Sequence, residues 1–218
     1  MNWGQVYQIS GSITFKMRWI VFDLGGVLVK VARNWGEACA GAGIVATNPS
    51  TKSVPLWEAP CFEPFQREQI DFQEYCIQLG EWLGCSAPEA KEVHDSILLG
   101  EYQGAHHLVK SLQSLGYRCA CLSNTNEAHC IEMARPEKYP SVCALDFRGF
   151  SYEARLGKPD SRFYEWFMEN TGASADQIVF FDDLESNVEA GINAGWTAFC
   201  VDHAGDTISQ MREFLGLS

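Results

Sequence analysis

Trp19-Ile20-Val21-Phe22 is an uninterrupted apolar run, stopped by Asp23-Leu24-Gly25-Gly26. A strand apolar on both faces needs cover on both faces, which the centre of a parallel sheet with helices on either side provides. The glycines feed the strand into a tight turn. Strands and helices then alternate to the end of the chain. Helices are predicted over 104–115, 126–134, 160–171, 185–193 and 206–215. Strands are predicted over 118–122, near 142–147, over 177–181 and over 196–201. Residues 33–103 break the alternation and read as helices with loops, with Ser86 and Glu89 at capping-box spacing. The expected fold is α/β, a doubly wound, Rossmann-like parallel sheet with an inserted α-helical cap. The core takes 18–32 and 104–218, the cap 33–103. Residues 1–17, polar and without a period, form an N-terminal extension on which no function is built.

Charge narrows the partners. The chain of 218 residues carries a formal net charge of −12, which repels a phosphate backbone and argues against nucleic acid. The longest apolar run, Trp19 to Val29, is broken by Asp23 and two glycines, so no membrane span is expected. The nine cysteines are odd in number and include no C-x-x-C pair. They read as reduced thiols of a cytoplasmic protein, with Cys119 and Cys121 on one face of a strand.

The chemistry gathers at the strand ends. Asp23, Ser123 with Asn124, and Asp182 with Asp183 each follow an apolar strand, and Lys158 precedes a helix in Gly157-Lys158-Pro159-Asp160. In open α/β sheets these carboxyl ends face one crevice. Three carboxylates brought together repel, and a divalent cation removes the conflict. Hard oxygen ligands suit Mg²⁺, which also takes substrate phosphate oxygens. A carboxylate beside it can attack phosphorus, while a lysine and a hydroxyl hold the transferring oxygens.

Four ordered segments resemble the motifs of the haloacid dehalogenase superfamily, in the branch with a helical cap after the first motif. They are Val21-Phe22-Asp23-Leu24-Gly25-Gly26-Val27-Leu28, Leu122-Ser123-Asn124-Thr125-Asn126, Gly157-Lys158-Pro159-Asp160, and the run from Phe181 through Asp182, Asp183 and Asn187 to Gly191. The resemblance implies Asp23 as nucleophile and Lys158 as the catalytic lysine. Metal ligands would be Asp23, the Gly25 carbonyl, Asp183, and Asp182 directly or through water. Ser123 and the Asn124 amide would bind phosphoryl oxygens. Asn187 counts among the substrate-site residues, at a position that steadies the lysine or the metal shell.

One position departs from the pattern. Phosphatases of this superfamily usually carry a second Asp, the general acid, where this chain has Gly25. Such a group is typically worth ~10²–10⁴-fold. A subgroup with the same Asp-Leu-Gly start resembles sugar-phosphate phosphatases. The expectation is a Mg²⁺-dependent phosphatase of a small phosphorylated substrate, acting through an aspartyl-phosphate. It would favour good leaving groups or borrow an acid from the cap, where Lys30, Glu37 and Glu58 are the candidates. The alternatives are a catalytically weakened binding or regulatory protein and, less favoured, a dehalogenase, which would leave the Asp182-Asp183 pair unexplained. Assembly as a homo-oligomer stays open. Arg33 reads as a surface residue more than a substrate contact, His106, His107 and His129 as surface or capping residues, and Trp57, Phe62 and Phe65 as cap core more than pocket.

Overall fold

The computed structural model describes residues 19–51 and 53–217. The predicted extension over 1–17 lies outside them. Five parallel strands form the main sheet: β1 (Trp19–Phe22), β4 (Arg118–Ser123), β5 (Phe147–Phe150), β6 (Ile178–Asp182) and β7 (Thr197–Cys200), in the order β5-β4-β1-β6-β7. β1 lies at the centre, with Phe22 level with Cys121 on one side and Phe181 on the other. The main-chain N–H of Asp23 still donates to the Phe181 carbonyl at 2.7 Å, so the nucleophile candidate is held in line with the sheet.

Alternation along β1 splits the core into two layers. Ile20 and Phe22 pack with Cys119, Cys121 and Phe181 against Leu108 and Leu112 of α5 (Ala105–Ser114) and Met211 of α11 (Thr207–Phe214). Trp19 and Val21 pack with Ala120, Leu122 and Phe180 against Phe163, Tyr164 and Phe167 of α9 (Ser161–Thr171). A fourth helix on the sheet, α10 (Glu185–Asn193), follows β6. The nine cysteines are free thiols, and Cys119 and Cys121 share one face as expected.

The strand expected near 142–147 is displaced. Pro140 opens a helical turn, α7 (Pro140–Cys143), which sets Val142 and Leu145 into the core at helical spacing, and the strand begins only at Phe147. Asp146 ends the turn by bonding across to Cys119, its carboxylate accepting from the Cys119 N–H at 2.8 Å and its own N–H donating to the Cys119 carbonyl at 2.7 Å. Helices α6 (Glu127–Met133) and α8 (Ser151–Ala154) complete the core.

Between β1 and α5 the chain leaves and returns through an antiparallel ribbon, β2 (Val29–Val31) with β3 (Leu98–Glu101), which the helical reading of 33–103 did not contain. Outside the ribbon lie α1 (Trp35–Ala42), α2 (Phe62–Gln66), α3 (Phe72–Leu83) and α4 (Ala87–Asp95). They bury an apolar cluster of their own, including Trp35, Phe65, Tyr75, Leu79 and Leu83. The Ser86 capping box opens α4 as its spacing predicts. Among the described residues no helix is long and apolar enough to cross a membrane.

Candidate active site

Asp23 stands beyond the end of β1, Ser123 at the end of β4, and Asp182 at the end of β6 with Asp183 following. One carboxylate oxygen each from Asp23, Asp182 and Asp183 fall within 4.8 Å of one another. Lys158 enters from the loop before α9. Its backbone is clamped by the Asn124 side chain, which accepts from the Lys158 N–H and donates to its carbonyl, both at 2.8 Å. The ammonium lies 2.5 Å from Asp182 Oδ2 and 2.9 Å from Asp23 Oδ1.

The electrostatics follow from burial. Burial alone would pull the Lys158 ammonium down, but Asp182 and Asp23 outweigh it and hold the lysine charged. Burial raises Asp23 to about 6, Lys158 works against the rise, and repulsion from Asp182 and Asp183 adds to it. The nucleophile candidate is therefore basic for an aspartate and short of positive charge.

The two acidic neighbours differ. Asp182 is fully buried and its oxygens are taken: Oδ2 by Lys158, Oδ1 by the Leu184 N–H at 2.9 Å and the Asn187 side-chain amide at 3.0 Å. Asn187 thus steadies Asp182, which in turn holds Lys158. Asp183 is bonded through Oδ2 by the Arg33 guanidinium at 2.7 Å, and His203 Nδ1 is 3.5 Å away. Hard oxygen donors, a shortage of positive charge at Asp23 and an Asp183 oxygen outside these bonds fit a divalent cation. Asp23, Asp182 and Asp183 are the carboxylates that could hold it. Asp182 also anchors the lysine.

Gly26 makes this closeness feasible. Its φ is +84°, and a Cβ there would fall 2.3 Å from Arg33 Nη2 and 2.4 Å from Asp183 Oδ2. At Gly25 a Cβ would meet only the Val31 methyls at 3.5 Å, an ordinary contact. The fold therefore admits a side chain at 25, and the missing acid is a property of the sequence.

A cleft of about 830 Å³ runs outward from Asn124 and Lys158, between Tyr152, Arg155 and Arg162 of the core and Phe62, Gln66, Arg67 and Gln69 beyond the ribbon. Phe65 is core, as expected, while Phe62 lines this cleft and Trp57 is 64% exposed. Neither Lys30, Glu37 nor Glu58 reaches the cleft lining. Lys30 lies over the Tyr102 ring, Glu37 caps the start of α1, and Glu58 is exposed.

The sequence reading missed two features. Arg33 is a site residue, bonded to Asp183, whose sequence signal was only its closeness to the first motif. His129 is neither surface nor cap: it is buried and stacks on His94 of α4 with ring centroids 4.3 Å apart. His106 and His107 are exposed at the start of α5.

Residues 17–195 match the description of the haloacid dehalogenase-like hydrolases. A phosphorylated carbohydrates phosphatase of Thermotoga maritima is 26% identical over 190 residues, covering 82% of each chain. A D-ribitol-5-phosphate phosphatase of Bacteroides thetaiotaomicron is 24% identical over 205 residues, covering 90% of this chain and 97% of its own. A solved HAD family enzyme of Bacteroides thetaiotaomicron, in complex with magnesium and inorganic phosphate, superposes with a TM-score of 0.72 at 22% identity over 87% of this chain and 96% of that one. With the family match spanning most of the chain, the protein belongs to the haloacid dehalogenase-like hydrolases.

Proposed function

We propose that this hydrolase is a Mg²⁺-dependent phosphatase of small phosphate monoesters of the phosphorylated-carbohydrate type. The observation that carries the reading is the Asp23–Lys158–Asp182 arrangement, a raised, buried carboxylate beside a lysine locked by a second carboxylate. The names of the two phosphatase relatives support the substrate class.

Asp23 attacks phosphorus through a carboxylate oxygen. The P–O bond to the leaving group breaks with its electron pair, and an aspartyl-phosphate forms. Lys158, Ser123 and the Asn124 main-chain amide hold the transferring phosphoryl oxygens. Water then attacks phosphorus, the bond between phosphorus and the Asp23 oxygen breaks, and inorganic phosphate leaves with the water protons carried by it or by solvent, restoring the Asp23 carboxylate. Mg²⁺ supplies neutralisation of the phosphoryl charge. The helices beyond the ribbon act as the cap, contributing Phe62, Gln66 and Gln69 to the wall that meets the sugar.

No side chain at 25 protonates the leaving oxygen, so leaving groups of low pKa are favoured. Phosphate release across aryl, anomeric and primary alkyl phosphates tests this. The expected result is Mg²⁺-dependent turnover falling steeply as leaving-group pKa rises. A flat series would show that another residue supplies the acid, and no turnover on any ester would favour the binding-protein alternative.

A further inference from the structure

The three carboxylates stand at strand ends and Lys158 on the loop before α9, all within the core, but the cation on Asp183 comes from elsewhere. Arg33 lies two residues beyond β2, on the strap that leads into the cap helices. Its Nη1 donates to Asp183 Oδ2 at 2.7 Å. Its Nη2 is buried without a hydrogen-bond partner among the described residues, and lies over Gly26 where a Cβ would stand. Tyr102, just past β3 on the returning strap, closes the same corner: its hydroxyl donates to the His203 carbonyl at 2.9 Å, and Arg33 counters the rise that burial imposes on it. Both straps thus lie close to Asp183, one bonded to it through Arg33 and the other near enough for the Asp183 charge to act on Tyr102.

Charge gives this contact a purpose. Asp23, Asp182 and Asp183 against Lys158 and Arg33 leave the cluster one negative charge. A divalent cation turns that to one positive charge, the state in which a phosphate dianion is attracted. Without Arg33 the cation-loaded cluster is neutral, and the dianion is attracted less strongly.

We propose that Arg33 is a charge-balancing residue that shares Asp183 with the cation and sets the affinity of the loaded site for phosphate. The inference rests on the phosphatase reading of the site. It predicts a pair of effects with opposite sign. Removing the arginine deepens the negative charge and frees an Asp183 oxygen, so the cation binds more tightly, while phosphate binds more weakly. A residue that only supported the fold would weaken both.

The test is calorimetric titration of Mg²⁺ alone, and then of inorganic phosphate at saturating Mg²⁺, into the full chain and its Arg33→Gln and Arg33→Lys variants. For Arg33→Gln the expected shifts are on the order of tenfold each, tighter for Mg²⁺ and weaker for phosphate. Arg33→Lys keeps the charge and should hold phosphate within about threefold of the wild type. Both affinities falling in Arg33→Gln, or neither moving, would overturn the proposal. So would a phosphate affinity in Arg33→Lys as low as in Arg33→Gln, and the lysine variant alone decides the matter through its phosphate affinity if the glutamine variant does not fold. A wild type that binds neither Mg²⁺ nor phosphate would instead sink the phosphatase reading.

Discussion

The two walls of the cleft are built differently. On the core wall Lys158 is tied at its backbone to Asn124 and at its ammonium to Asp182 and Asp23, and Asp182 is tied in turn to Leu184 and Asn187. On the cap wall the charged side chains make surface pairs, Arg67 with Glu63 at 2.6 Å, both about two-thirds exposed. Across the cleft Arg155 reaches Glu68 at 3.5 Å, also in solvent. Buried, interlocked charges fail together when one is removed, whereas exposed pairs are worth little. The chemistry is held by the first wall, and the second can change with small cost to the fold.

That contrast can be broken by substitution. Asp23→Asn should lower turnover by on the order of 10⁴-fold or more, because the nucleophile is gone, as single-turnover phosphate release would show. Asp182→Ala should destabilise the protein by about 3–5 kcal/mol in denaturant melts, since it leaves the buried lysine with Asp23 alone and unpairs the groups bonded to Asp182. Arg67→Ala on the cap wall should stay within about 0.5 kcal/mol of the wild type. An Arg67→Ala loss as large as that of Asp182→Ala would remove the distinction between the walls.

Two further outcomes sharpen it. Gly25→Asp places a carboxyl where the fold has room, and should raise turnover of alkyl phosphates more than of aryl phosphates, by on the order of tenfold or more. Titration of Asp23 gives a signed effect on stability. Its folded value of about 6 lies above the ordinary aspartate value of 3.8, so between these the native state holds the proton more tightly. Stability contributed by this group is present below the lower value and lost as pH rises through the upper one. In chelator, Asp23→Asn should therefore melt above the wild type at pH 7.5, and the gap should close toward pH 4. A wild type that melts higher at pH 7.5 would contradict the raised carboxyl.

The core wall was legible in the sequence because most of its acidic and hydroxyl groups follow apolar strands. Asp23, Ser123 and Asp182 had a place in the sheet before any contact was known. Register then decided what spacing could not: Asp182 and Asp183 are neighbours in sequence, but one faces Lys158 and the other Arg33. Arg33 escaped because its partner is 150 positions away and its own segment carries no strand-end signal. His129 escaped because its cover comes from α4, across the ribbon. The strand near 142–147 was misplaced because Val142 and Leu145 serve a helical turn as well as they would a strand.

The most direct test of the account is phosphate release from p-nitrophenyl phosphate by the wild type and Asp23→Asn, each with Mg²⁺ and with chelator. The account predicts turnover only in the wild type with Mg²⁺. Equal turnover in the two proteins, or turnover that persists in chelator, would contradict it.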